Sequence, residues 1–215
     1  ISANQLEKSI TDKTKWLFIN SPSNPTGQVY SKSELIEIIK VLKKYKNVYV
    51  LSDDIYEYIR YKDHDKFYTV AELDEEIFSR TITMNGVSKA YSMTGWRIGY
   101  CGGPEEIINA MRKLMGQSTS NPSSISQWAT VEALNGSKDF LQNWIPSFKK
   151  RRNYIVDYLN NCDGIECLNP EGAFYVYPSC AGIIGKKFKD KVITSDKDFA
   201  MILLKEKLVS VVHGE

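Results

Sequence analysis

Short apolar runs, each followed by a polar stretch and then a longer amphipathic run, recur along this sequence, and that alternation restricts its fold more than any other feature. It predicts an α/β protein. Lys15 to Asn20 reads as a strand, the Pro/Ser/Asn-rich Ser21 to Gly27 as a loop, and Ser31-Lys32-Ser33-Glu34 as a capping box opening a helix that runs to about Tyr45. Val48 to Leu51, Thr81 to Met84 and Trp96 to Cys101 are the next strands, followed by helices over Pro104 to Leu114 and Ile125 to Leu134. A long helix spans about 138–161 despite Pro146, and its basic run Lys149-Lys150-Arg151-Arg152 reads as a solvated face. Beyond it, Ile165 to Leu168, Ala173 to Tyr177, a helix over Asp196 to Lys207 and a final strand over Val209 to Val212 suggest a second, smaller α/β unit. The expected division is residues 1–145 and 146–215, joined by the long helix.

With 215 residues, 42% hydrophobic and 25% charged, the chain is neither disordered nor collagen-like. Its 28 basic and 26 acidic residues give a net charge of +2, which offers no support for a nucleic-acid partner. Cys101, Cys162, Cys167 and Cys180 lack CxxC spacing and read as reduced thiols, in keeping with a cytoplasmic protein. His64 and His213 have no metal-ligand spacing. No uncharged run is apolar enough to span a bilayer. An opening on Ile1 rather than Met, and a stop just after Val209 to Val212, read as a fragment of a longer polypeptide.

The polar motifs fall just beyond strand ends, the edge at which open α/β sheets bind ligands. Asn24-Pro25-Thr26-Gly27 reads equally well as a plain turn. Asp53 and Asp54 end an otherwise apolar strand, where an ionised carboxylate is costly unless it caps a helix or meets a cation. Tyr56, three residues beyond Asp53, reaches the same place if the chain turns helical. In Asn85 to Gly99, Lys89 and Arg97 stand in a loop otherwise built of small, hydroxyl and aromatic residues. The Ser88-Lys89 dipeptide alone means nothing. In this setting, however, a lysine can form an imine with an aldehyde, while hydroxyls and Arg97 suit a phosphate.

Together, SPSNPTG, SDDIYE and NGVSKAYSMTGWRIGY closely resemble the class I pyridoxal-phosphate aminotransferases of fold type I, in their bacterial aspartate aminotransferase-like branch. EGAFYVY also matches, and the resemblance covers essentially the whole chain. It implies the later part of a large domain, with a mainly parallel sheet flanked by helices, plus the early part of a smaller C-terminal α/β domain. Lys89 matches the family lysine that bonds pyridoxal 5'-phosphate and then moves the Cα proton. Asp53 matches the carboxylate on the pyridine nitrogen, with Asp54 the less critical neighbour. Tyr56 and Asn24 match the pair on the phenolic oxygen, Asn24 also reaching the substrate α-carboxylate. Arg97 and Ser88 match phosphate contacts, and Gly86 stands where some relatives have another phosphate-binding serine.

The resemblance further implies amino-acid and 2-oxo-acid substrates, aspartate with 2-oxoglutarate first and dual aspartate/prephenate activity close behind. A β-elimination lyase and a non-catalytic aminotransferase-like regulator are the other readings. Complete family members also carry an upstream Gly-rich phosphate loop, an aromatic stacked on the cofactor and a downstream arginine for the α-carboxylate. None is in this sequence, so the isolated fragment is expected to be slow or inactive. An arginine lent by a neighbouring subunit in some aspartate enzymes would align near Gly116, where none stands. A homodimer is implied, with Tyr68, Trp96 and the Ser118 to Ser124 loop near its interface. Trp96, Trp128, Trp144 and Met111 read otherwise as ordinary core.

Overall fold

The computed structural model describes residues 1–61 and 66–214, so His64 lies outside the described residues. A four-stranded sheet organises the first half: β1 (Trp16–Asn20), β2 (Tyr49–Asp53), β3 (Thr81–Gly86) and β4 (Gly99–Gly102), in that spatial order. The first three are parallel and β4 is antiparallel to β3. Parallel neighbours need crossovers, supplied by α2 (Lys32–Leu42) between β1 and β2 and by the short α3 (Val70–Leu73) and α4 (Glu75–Phe78) between β2 and β3. A further helix, α1 (Ala3–Ser9), precedes β1 and was not foreseen from the sequence. The expected capping box is present at α2: Ser31 accepts from the Glu34 amide and Glu34 accepts from the Ser31 amide.

Strand side chains alternate between faces. Ile19, Val50 and Ser52 point to the face covered by α1 to α4, where Ile19 and Val50 join Leu6, Leu35, Ile38, Leu42, Val70 and Ile77 in the main core. The opposite face carries Trp16, Phe18, Asn20, Leu51, Asp53 and Met84. Phe18 there is 69% exposed, and an apolar groove runs from Trp16, Phe18 and Met84 to Ile107 and Met111.

Arg80 ties the covered side together. Its buried guanidinium donates to the carbonyls of Leu42, Tyr45 and Val48 at 2.6–2.9 Å, supplying a donor to Val48 and a second one to Leu42 and Tyr45, which also accept the amides of Tyr45 and Val48.

After β4 come α5 (Glu105–Gly116), α6 (Ser124–Asn135) and α7 (Phe140–Asn160), all at the expected places, with Pro146 inside α7. A two-residue hairpin, β5 (Lys187–Phe188) and β6 (Lys191–Val192), precedes α8 (Asp196–Lys207).

Four expectations need correction. The fourth strand starts at Gly99 rather than Trp96, because Thr94–Trp96 form a 3-10 turn and Arg97 is left-handed (φ 56°). The apolar run Ala173 to Tyr177 is not a strand; Ala173 has φ 55° and spends its amide on Ile59. Val209 to Val212 pairs with no strand among the described residues. Trp96, Trp128 and Met111 are 42%, 74% and 43% exposed, so they are not core within this chain, because no described element packs over those faces. Trp144 alone is half-buried, edge-on to Phe140.

Replacing Arg80 by Leu in the full-length protein should cost about 3 kcal/mol through loss of these three charge-assisted hydrogen bonds, the Val48 carbonyl being left without a donor. A fall in the thermal unfolding midpoint matching Leu42→Ala in scale checks this; an unchanged midpoint refutes it.

Candidate active site

Because β1, β2 and β3 run in one direction, their carboxyl ends lie side by side, with Asn20 level with Asp53 and Asp53 level with Met84. Alternation sends Asn20 and Asp53 to the open face, whereas Asp54, beyond the strand end, is buried on the covered side and accepts from Ser52 Oγ at 2.7 Å. The two adjacent carboxylates thus occupy different environments, and only Asp53 faces the site.

Asn20 is the residue that sequence reasoning missed here. Its Nδ2 donates to the Asp53 carbonyl (3.1 Å) and its Oδ1 accepts from the Asn24 amide (2.6 Å), so one side chain fixes the Pro-rich loop to the end of β2. Asn24 itself is exposed on that loop, in which both the Ser21–Pro22 and Asn24–Pro25 bonds are cis. An asparagine at a strand's last position just before SPSNPTG was the available signal.

After β2 the chain turns, with the Glu57 amide donating to Asp54 and the Ile59 amide to Tyr56. Tyr56 is thereby turned inward and is 3% exposed. After β3, residues 87–91 turn back, placing Lys89 Nζ 5.5 Å from the centre of the Tyr56 ring and 5.6 Å from that of Phe174. Those two rings are themselves 5.6 Å apart and nearly perpendicular, so the amine lies to one side of an aromatic pair that attracts a cation.

Phe174 arrives from far along the chain. The amides of Glu171 and Gly172 both donate to the Gly27 carbonyl (2.9 and 2.8 Å), the Ala173 amide donates to Ile59 and the Tyr61 amide donates to Glu171. Gly27 has φ 69°, and a Cβ there would stand 2.5 Å from Pro170 Cβ. The contact therefore requires glycine.

The structure thus brings together Lys89, Tyr56 and Asp53, with Ser88 half-buried in the same turn. Arg97 stays exposed on the outside of its turn, where Nη1 donates to the Thr94 carbonyl at 2.8 Å. Gly86 lies opposite Gly99, and a Cβ on it would be 3.0 Å from the Ile98 carbonyl oxygen. A serine would press on β4's approach at that point.

Burial raises the Asp53 carboxyl above its ordinary range, opposed by the Ile55 amide and the Lys89 charge. Burial likewise raises Asp54, despite its Ser52 bond, and Glu57, despite a 2.8 Å bond from Asn85 Nδ2. Burial first, then the hydrogen bond with Tyr175, pushes the Tyr56 phenol well up, so it is a neutral hydrogen-bonding phenol at ordinary pH. Of the three carboxyls, only Asp53 faces the site, where a carboxyl held partly out of water favours a positive partner.

A family model described as aminotransferase class I and II matches residues 1–215. The chain belongs to that family. It is 54% identical to a probable aspartate/prephenate aminotransferase of Rhizobium leguminosarum bv. phaseoli, covering 100% of this chain and 54% of the relative. A crystal structure of an aspartate aminotransferase from Rhizobium meliloti superposes with TM-score 0.94 at 49% identity, over 99% of this chain and 53% of that one. An aspartate aminotransferase from Thermus thermophilus, described with maleate, gives TM-score 0.87 at 35% identity, over 100% of this chain and 52% of that one. This chain spans about half the length of the curated relatives it matches. The mixed α/β fold with its parallel-dominated sheet is the fold type I architecture of those aminotransferases.

The donor set suits pyridoxal 5'-phosphate: an amine beside two aromatic rings, a carboxylate raised by burial for a protonated ring nitrogen, a phenol, and hydroxyl and guanidinium groups for a phosphate. A raised carboxyl pKa means that folding disfavours the ionised form; the stability linked to Asp53 is fully present below the unfolded value and is lost as pH rises through the folded one. Asp53→Asn in the full-length, cofactor-free protein should therefore raise the unfolding midpoint at pH 7 and leave it unchanged near pH 3. A lower midpoint at pH 7 contradicts this.

Proposed function

We propose that the full-length protein is a pyridoxal-phosphate-dependent aminotransferase that exchanges the amino group between L-aspartate and 2-oxoglutarate. The observation that carries this reading is Lys89 Nζ against the rings of Tyr56 and Phe174, near the half-buried Asp53. Pyridoxal phosphate supplies an aldehyde that bonds amines and a ring that accepts the electron pair left when a substrate loses its Cα proton.

Lys89 would hold the cofactor through its aldehyde, and its free amine would serve as the base and acid that moves the substrate Cα proton. Asp53 holds the proton on the ring nitrogen; its own burial keeps water from competing for that contact. Tyr56 donates to the phenolic oxygen, assisted by Asn24, which also orients the substrate α-carboxylate. Ser88 and Arg97 bind the phosphate. The exposed guanidinium of Arg97 has donors left over after its bond to Thr94, which supports that role.

Aspartate is favoured because relatives at about half identity are described as aspartate or aspartate/prephenate aminotransferases, and a solved one is described with maleate, a four-carbon dicarboxylate. The dual aspartate/prephenate activity is the second reading, favoured by the name of the Rhizobium leguminosarum relative. The same reading makes the protein a cytoplasmic homodimer, with the cofactor-binding part over residues 1–145 and a smaller part over 146–215.

Borohydride reduction of the full-length protein with pyridoxal phosphate should label Lys89 selectively on peptide mass mapping, and Lys89→Ala should abolish the label. Scattered labelling of surface lysines sinks the reading. Asp53→Asn should lower kcat with aspartate by about two orders of magnitude, the usual loss for one preorganised charge. Comparing kcat/KM for aspartate and prephenate separates the two substrate readings, while release of pyruvate and ammonia without a new amino acid would point to a lyase instead.

A further inference from the structure

Tyr56 reaches a second tyrosine. Its Oη lies 2.6 Å from the Oη of Tyr175, and the two rings meet edge to face at 5.7 Å. Tyr56 is 3% exposed, and Tyr175 packs partly buried against the same cluster as Ile55, Ile145 and Phe148. Tyr175 is fixed from behind. Two residues upstream, Ala173 is fully buried in a left-handed conformation (φ 55°), its amide donating to Ile59 and its carbonyl accepting from the Tyr61 hydroxyl. Phe174, between them, lies 5.6 Å from the Tyr56 ring and 4.8 Å from that of Tyr175. The second phenol is thus held by the same segment that closes over Lys89.

A phenol has one proton to give and lone pairs to receive. In a facing pair, one proton lies between the two oxygens and the other is free for a third partner. An anionic acceptor next to Tyr56 decides the direction: the pair then runs from Tyr175 through Tyr56 to the anion, each bond polarising the next. We propose that Tyr175 is a positioning residue for the cofactor's phenolic oxygen, donating its proton to Tyr56 Oη and so turning the Tyr56 proton toward that oxygen. This rests on the assignment of Tyr56 to the phenolic oxygen made above. The burial that keeps Tyr56 neutral supports it, because a neutral Tyr56 has a proton to direct.

Equilibrium binding of two ligands to the cofactor-free, full-length protein tests this: pyridoxal 5'-phosphate, and its 3-deoxy analogue with hydrogen in place of the phenolic hydroxyl. Tyr175→Phe keeps the ring and should weaken pyridoxal phosphate about fivefold, the scale of one net hydrogen bond, while changing the 3-deoxy ligand less than twofold. In a Tyr56→Phe background, the second substitution should have no further effect on either ligand. Equal weakening of both ligands by Tyr175→Phe means a packing role only and overturns the proposal, as do additive effects in the double variant. If Tyr56→Phe discriminates between the ligands and Tyr175→Phe does not, the proposal alone falls. If Tyr56→Phe itself fails to discriminate, the assignment of Tyr56 falls and takes the proposal with it.

Discussion

The common direction of β1, β2 and β3 governs everything built above them. Parallel pairing leaves three strand ends on one edge, and the period-two alternation decides which side chain at each end faces the site. Asp53 faces it and Asp54 does not for that reason alone, although the two are neighbours in sequence and both are raised by burial. The crossovers α2, α3 and α4 then cover one face only, so the polar ends of the strands meet the loops that carry Tyr56 and Lys89 from the other side. Arg80 sustains this by closing the carbonyl end of α2 against β2.

A second layer of order comes from backbone contacts between distant segments. The Gly27 carbonyl accepts two amides from the 170–175 segment, and Ile59 accepts a third. These bonds involve no functional side chain. They set where Phe174 and Tyr175 stand, and through them the position of the Lys89 amine and the surroundings of the Tyr56 hydroxyl. The charge balance of the site follows the same logic, since Asp53, Asp54 and Glu57 are withdrawn from water by the turn that presents Tyr56.

Local signals in the sequence were read correctly where local physics decides the outcome. The strands around Leu17, Val50 and Ile82, the capping box at Ser31 and the long helix through Pro146 all carry their signal within a few residues. Asp53, Tyr56 and Lys89 were legible as a group because each follows a strand end and the motifs are long. The reading failed where a distant partner overrides the local pattern. Ala173 to Tyr177 is apolar enough for a strand, but the Ala173 amide is claimed by Ile59 from far earlier in the chain. Trp96 to Ile98 looked continuous with β4, but the left-handed Arg97 breaks it. The bridging role of Asn20 and the pairing of Tyr56 with Tyr175 depend on register and docking, which no spacing in the sequence records.

Tyr56 and Tyr175 are separated by 119 positions, so their contact closes one of the long loops of the chain. Loop closure of that length carries an entropic cost that is repaid only after the intervening helices have formed, and nonlocal contacts of this kind tend to be late events in folding. The side-chain cluster around Lys89 is therefore a product of finished assembly rather than a seed for it. A ligand bound to this cluster would act as an inspector of the folded state: only molecules whose early and late segments have found each other would retain it, and its loss would mark a polypeptide that had stopped short.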